Sequence, residues 1–516
     1  MLTVPRMPAG EAELSPAVRL DAMRSAQAGW AATPIARRMR VLRRFRAELA
    51  TGAQEFSATV PVAYPGHLSR SEADTLITEV LPLAEACRFL EKEAAFILAP
   101  RVESSKNRPF WLRNVEVCVE HAPLGVVLLL APGNYPLFLA GAQALQALAA
   151  GNAVLWKPAS SGVACAHAMR VMLIASGLPP DLLTILDPAP AIATAFITEG
   201  VDKVFLTGSA ATGEAVLHAL AASATPAVME LSGCDAVFVL EGADLSRVVE
   251  ALIFGLRLNG SATCMAPRRV FVESRSADRL AVALHAALIG FAPVSVPLRS
   301  TSLLAECLED ARQHGAQVLL DGLPVEKPGF SSAPGTCMVG ASLIADASPT
   351  LRITRTDLFA PVLSLMSFRT VPNAVAMHRE CPYALTAAIF GPAPKARELA
   401  SQLNVGTVVI NDLIVPTADP RVPFSGRKRS GFGATRGREG LLEMTAPRAI
   451  VQQRSKSTMA YKPTTQAHGQ LFAGYLQASH AQGWRNRLQG LRAMAAAMPG
   501  LGRALGREPK TFRKYT

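Results

Sequence analysis

Cys264 stands apart from the other seven cysteines of the chain. It closes the small-residue run Asn259-Gly-Ser-Ala-Thr-Cys264 just after a helical segment, and Arg268 and Arg269 follow it. Most single cysteines are inert core. A helix end, small neighbours and nearby cations instead predict an accessible thiol of lowered pKa, able to act as a nucleophile. No His is close in sequence to serve as its base. Other polar groups each follow or end an apolar run: Asn134, Lys157, Thr207-Gly208-Ser209 and Glu230. Gly208-Ser-Ala-Ala-Thr-Gly213 leads from a strand into a helix, where backbone N–H groups could hold a phosphate. It matches neither GxGxxG nor the P-loop, and alone it reads more readily as a structural turn. Lys157 is the first charge after 35 uncharged residues. It must reach solvent or an anion, and a nucleotide ribose or phosphate is the ligand it suggests.

The elements that must position these groups alternate. Residues 16–58 read as helices, and 111–120 alternate apolar and polar residues as a half-exposed strand does. The apolar run 126–130 suits a parallel strand buried on both faces. A helix over 137–150 follows, then strands at 153–156, 182–186, 204–206 and 227–231, with helices at 162–176, 190–199 and 210–222 between them. Five strands alternating with four helices predict a doubly wound parallel sheet. In such folds ligands lie at the carboxyl ends of the strands, where the amide, ammonium, hydroxyl and carboxylate above converge. A second α/β region runs from 236 to about 411, through a helix at 245–258 and a strand at 269–272. Residues 423–433 read as a Gly-rich basic loop, and 449–452 as a closing strand.

The chain has 516 residues, half of them apolar and 18% charged, which excludes disorder as its main state. Its eight cysteines show no CxxC or Cys/His cluster, so no metal site is expected, and reduced thiols in a cytoplasmic protein fit best. The uncharged stretch 122–156 is long enough for a membrane span, but residues 132–136, Pro-Gly-Asn-Tyr-Pro, break it. The net charge is +12, yet residues 454–516 carry eleven Lys or Arg against one acid, leaving +2 for the first 453 residues.

Leu124-Gly-Val-Val, Pro132-Gly-Asn-Tyr-Pro136, Ala149-Ala-Gly-Asn-Ala-Val, Lys157-Pro158, Phe205-Leu-Thr-Gly-Ser209, Glu230-Leu-Ser-Gly233, Cys264, Asp357-Leu-Phe-Ala-Pro361 and Pro423-Phe-Ser-Gly426 with Ser430-Gly431 occur in one order. In that order, and with 34 residues from Glu230 to Cys264, the chain resembles the aldehyde dehydrogenase superfamily over roughly residues 15–453. Asn-Tyr-Pro and Asn411-Asp-Leu-Ile-Val415 resemble its class 3 branch, which handles fatty and aromatic aldehydes. The resemblance implies an α/β fold with a doubly wound cofactor domain (1–109 and 122–231), an α/β catalytic domain (232–420), a small oligomerisation strand element (110–121 and 421–453) and a basic tail (454–516). It implies NAD- or NADP-dependent oxidation of an aldehyde to an acid by a homodimer. Cys264 is then the nucleophile, Asn134 the oxyanion donor and Glu230 the base for water. Lys157, Ser160, Gly208, Ser209, Leu231, Asp357 and Phe359 would meet the cofactor.

The departures from the family pattern are specific. Ser160 stands where a Glu is common, which removes a carboxylate that disfavours a 2′-phosphate. Ser261-Ala262 replaces Gly-Gln, Ser232-Gly233 replaces Gly-Gly, Asp357 replaces Glu, and Gly133 replaces a Trp. An acyl-CoA-forming or acyl-reducing relative remains an alternative, which Glu230 disfavours, because acyl transfer to a thiol needs no water-activating base. A scaffold or membrane-recruited protein acting through the tail is another. In that tail Trp484, Leu488, Leu491, Ala495 and Met498 recur at helical spacing, with Pro499-Gly500 expected to end the segment. It reads as solvated chain or a docked helix, or as a peripheral helix drawn to an anionic membrane surface. Nucleic acid is disfavoured, since no recognition module accompanies the charge.

Overall fold

In the computed structural model of the chain, residues 15–61, 70–106, 108–109, 112, 114–324, 335–456, 461 and 463–505 are described. The chain divides into one unit of 1–101 with 119–449 and another of 102–118 with 450–516.

The first unit holds two sheets. In the first, Val126–Leu130, Ala153–Lys157, Leu183–Ile185, Lys203–Thr207 and Ala227–Glu230 pair in parallel. These are the five strands expected. Their near-complete burial explains why they read as unbroken apolar runs rather than alternating ones. Val126–Leu130 lies between Ala153–Lys157 and Lys203–Thr207. The chain therefore winds outward one way through Leu183–Ile185, then returns to wind the other way. That reversal creates a crevice at the carboxyl edge. Helices Phe138–Ala150, Val163–Ala175, Pro190–Glu199 and Ala210–Ala221 make the connections. Gly151, at φ 100°, ends the first of these, and its N–H bonds back to Leu148.

The loop expected over 423–433 is more ordered than its composition suggests. Gly431–Phe432 adds an antiparallel edge strand that sets Gly431 opposite Glu230. Gly431 has φ +101°, and a Cβ there would overlap the Met229 carbonyl, so only glycine fits this approach.

The second sheet has seven strands in the order Gln317–Leu320, Ser342–Ala345, Val362–Phe368, Pro267–Glu273, Asp235–Val239, Thr386–Phe390 and Thr407–Ile410. The link from the first sheet is residues 231–234, so Glu230 ends one sheet and Asp235 starts the next. Helices Pro16–Ala32, Ile35–Thr51 and Leu81–Ile97 cover the first sheet; the sequence reading had no element at the third.

The strand expected at 111–120 runs over Val115–Pro123, and Trp111 lies outside the described residues. It joins Arg101–Val102 and Thr445–Gln453 in a three-stranded sheet. The tail forms two helices, Gln466–His480 and Trp484–Leu505. The second passes through Pro499, where an end was expected. Gly474 and Gly490 let the two backbones approach, and Met494 packs at the same crossing. The apolar face read from the spacing lies exposed: Trp484 is 71% exposed, and Leu488, Leu491 and Met498 are exposed as well. Lys510, Arg513 and Lys514 lie outside the described residues.

Candidate active site

Cys264 sits just before the Pro267–Glu273 strand, at the end of a turn built from backbone that L-residues rarely adopt. Asn259, Gly260 and Ser261 have φ of 52°, 60° and 65° in succession. Ser261 stands where the resemblance expects glycine, and the guanidinium of Arg268 holds it there. Nη1 donates to the Ser261 hydroxyl (3.0 Å) and Nη2 to its carbonyl (2.8 Å). Arg269 turns the other way and donates from Nε to the Cys234 carbonyl (2.8 Å).

Neither arginine therefore serves the thiol as its sequence neighbourhood suggested. The expected lowering of the Cys264 pKa is wrong in direction. Burial pushes it well above the usual thiol value, and the charges of Glu230, Asp235 and Asp357 push it further. Arg436 is the cation that opposes them.

Asn134 is brought to the same turn from the first sheet. Its Nδ2 donates to the Ala262 carbonyl (2.9 Å), which uses one of two N–H groups and aims the amide at the residues before Cys264. Asn259 returns the contact, donating from Nδ2 to the Asn134 carbonyl (3.0 Å), and the Tyr135 and Thr263 hydroxyls meet at 2.7 Å. Two residues absent from the sequence reading hold this crossing. Arg70 donates to the Asn134 carbonyl, to Asn259 Oδ1 (2.8 Å) and to Glu79 Oε1 (2.5 Å). Glu79 Oε2 in turn accepts from the backbone N–H groups of Leu137 (3.2 Å) and Phe138 (2.7 Å), which caps helix Phe138–Ala150. Glu79 is fully buried, one acid in the apolar run Leu76–Val80, and that isolation was the available signal.

Glu230, at the end of its strand, is also buried. Its Oε2 accepts from Thr435 (3.2 Å) and Thr207 (3.4 Å), while burial raises its pKa against the opposing charge of Arg436. Gly233 backs the cysteine: a Cβ there would overlap the Cys264 carbonyl oxygen. A cavity of 280 Å³ opens on Cys264 and Glu230. Its walls are mainly apolar, including Leu139, Phe254, Met265, Ile414 and Phe424, with Arg436 the buried cation among them.

At the carboxyl edge of the first sheet, Lys157 ends its strand half-buried, its pKa drawn down by burial with Asp187 opposing. Ser160 is exposed in a 3₁₀ turn. Ser209 caps helix Ala210–Ala221 through Thr212 N–H (3.1 Å), and Gly208 in front of it leaves the backbone open. Leu231 packs on Gly213. Asp357 comes in from the second sheet, its carboxyl pushed up to about 6 by burial while the Ser232 hydroxyl and Arg268 oppose. Ser232 also accepts from Ala210 N–H (3.2 Å). The two departures at 232 and 357 thus bear on one carboxyl group. Phe359 is half-buried on the same loop.

Residues 3–450 match the aldehyde dehydrogenase family. The chain is 28% identical over 452 residues to a 4,4'-diapolycopene aldehyde oxidase of Methylomonas sp, covering 85% of this chain and 82% of that protein. Among solved structures, an NADP-dependent glyceraldehyde-3-phosphate dehydrogenase from Bacillus halodurans C-125 complexed with NADP has a TM-score of 0.74 at 25% identity, covering 85% of this chain and 90% of that one. The fold is shared with the NAD+ complex of an aldehyde dehydrogenase from Bacillus cereus (TM-score 0.76, 20% identity, 85% and 89% covered). With Cys264 and Glu230 on one cavity beside a doubly wound sheet, the chain belongs to the aldehyde dehydrogenase family and is an NAD(P)-dependent oxidoreductase acting on aldehydes.

Proposed function

We propose that Cys264 attacks the aldehyde carbonyl, with Asn134 and the Cys264 N–H receiving the oxyanion, and that Glu230 activates the water that releases the acid. What carries this reading is the convergence of Cys264 and Glu230 on one cavity, with the Asn134 amide tied to the cysteine turn. Attack forms the Cys264–carbon bond, and the thiol proton leaves to water or base. The nicotinamide, when bound, accepts the hydride and leaves a thioester on Cys264. Glu230 then takes a proton from water as the water's oxygen displaces the sulfur.

The edge residues suit a dinucleotide. Gly208 leaves room for close approach, the capped helix Ala210–Ala221 points its N-terminus at the crevice, and Lys157 is a half-buried cation. Lys157 and Ser160 would hold the adenine-side ribose, Gly208, Ser209 and Leu231 the pyrophosphate side, and Asp357 and Phe359 the nicotinamide ribose and ring. This reading assigns 1–109 with 122–231 to cofactor binding, 232–420 to catalysis, and 110–121 with 421–453 to pairing in a homodimer of a cytoplasmic protein.

A panel of short, long-chain and aromatic aldehydes assayed with NAD and with NADP tests the reaction. Acid formed without coenzyme A, with a reduced-cofactor burst lost in Cys264→Ala, is the expected result. Acid formation by Cys264→Ala at the wild-type rate overturns it.

The exposed Trp484, Leu488, Leu491 and Met498 on a basic tail support recruitment to an anionic membrane surface. Among the described residues no helix is long and apolar enough to cross a membrane. Co-sedimentation with anionic vesicles that survives deletion of 454–516 removes this assignment.

A further inference from the structure

Arg436 costs the fold free energy three times over. Its backbone lies at φ 61°, ψ 173°, a region that is essentially glycine's own. Its guanidinium is buried, and burial pulls its pKa down. Its Nε is buried without a hydrogen-bond partner, and one bond, from Nη1 to the Thr417 carbonyl (2.7 Å), is what the protein gives in return. The ring of Phe424 lies 4.8 Å from the guanidinium carbon and that of Phe138 5.9 Å, so aromatic faces hold the cation in place without neutralising it. No ion pair within 4 Å ties Arg436 to an acid among the described residues. A structural arginine of this kind would be replaced by an apolar side chain at no loss.

Its surroundings say what it is for. It lines the cavity that Cys264 and Glu230 also line. We propose that Arg436 is the shared counter-ion of the nucleophile and the base, a positioning residue in the electrostatic sense, which favours the charged forms of Cys264 and Glu230 that the reaction needs. The need is visible in what faces the thiol from each packed element. Glu230 comes from the end of the first sheet, Asp235 from the start of the second, Asp357 from the loop before Val362–Phe368, and Tyr135 from the 132–136 loop. Three of these are carboxyl groups, and each disfavours a thiolate. Arg268 and Arg269 are spent on Ser261 and Cys234. Arg70 is spent on Glu79, Asn134 and Asn259, so among the described residues Arg436 is the cation left to oppose them, and its strongest charge partners are Glu230 and Cys264. Leaving it without a direct ion pair keeps Glu230 able to accept a proton, whereas a tight Arg–Glu pair would lock it.

The inference rests on Cys264 and Glu230 as nucleophile and base, and its test separates from the test of that reading. The rate of Cys264 alkylation by iodoacetamide, followed by mass spectrometry of the full chain between pH 6 and 10, reports the thiolate fraction without cofactor or substrate. In Arg436→Gln the rate at pH 8 should fall about tenfold, with the whole profile displaced to higher pH. Arg436→Lys should restore most of the rate, because it keeps the charge and loses the fork. Glu230→Gln should raise the rate at pH 8. Should Arg436→Gln not fold, Arg436→Met is compared with Arg436→Lys by the same profile. A neutral variant, Gln or Met, whose profile overlays the wild type overturns the proposal. A Cys264→Ala chain that still oxidises aldehydes overturns the underlying reading instead.

Discussion

The strand edge that carries Lys157 and Ser209 and the turn that carries Cys264 lie in one unit and are built by opposite means. Lys157, Gly208 and Ser209 are placed by the strands that end at or beside them and by a helix cap three residues long. Cys264 is placed by hydrogen bonds that cross 125 to 189 residues of sequence: Asn134 to Ala262, Asn259 to Asn134, Arg70 to Asn259. The edge is partly open, with Ser160 exposed and Lys157 half-buried. The turn is closed over charge, with Glu79, Glu230, Asp235 and Arg436 all buried. A locally built site tolerates exchange of one residue, because backbone does most of the holding. A site built across the chain concentrates its dependence in a few buried polar groups whose loss leaves partners unpaired.

The sharpest contrast is therefore expected at the turn. Asn134→Ala should lower kcat about 10²–10³-fold in a steady-state assay, as loss of an oxyanion donor does, with a smaller change in cofactor KM. A loss under tenfold would remove the amide from that role. Arg70→Leu leaves Glu79 buried without its partner, and breaking such a pair typically costs about 3–5 kcal/mol. Urea unfolding should show a large drop in stability, with a fall in the acylation burst in whatever protein remains folded. Gly233→Ala forces a Cβ onto the Cys264 carbonyl, so it should slow Cys264 alkylation while leaving cofactor binding in place.

At the edge the expectation is mild. Ser209→Ala removes the cap of helix Ala210–Ala221, worth about 1 kcal/mol, and should raise cofactor KM with little change in kcat. A kcat loss at Ser209 as large as that at Asn134 would erase the distinction.

The smallest effect is on pH dependence. Burial holds the Asp235 carboxyl up at about 7, and its oxygens accept from Thr386 N–H (2.9 Å) and hydroxyl (3.0 Å). The folded state then binds the proton more tightly than the unfolded chain. That contribution is complete below about pH 4 and is lost as pH rises through about 7. Thermal unfolding should give a Tm that declines across that window, and Asp235→Asn should flatten the decline.

The same division marks what could be read before the structure. The five parallel strands, the helices between them and the carboxyl-edge residues were legible, because a strand buried on both faces leaves an apolar run and its end is where polarity returns. The edge strand Gly431–Phe432 was not, since two residues carry no periodicity and its partner lies 200 residues away. What the tail helix packs on was not legible for a related reason. Helical spacing marks apolar residues but not which of them find a neighbour, and the helix pair meets instead at Gly474, Gly490 and Met494. Arg436, just past the Gly-rich loop read at 423–433, was hidden among neighbouring cations, with nothing in its own spacing to separate it.

Residue order alone determined the family and the parallel sheet and singled out Cys264, Asn134 and Glu230 as candidates, because those rest on local patterns and motif order. Only the tertiary structure decided the charge state of the site. Sequence adjacency put Arg268 and Arg269 beside Cys264, but folding turned both toward backbone carbonyls and brought three carboxyl groups and one arginine to the thiol. A pKa depends on what is near in space and on how much water is excluded, and neither distance is written in the spacing of the chain.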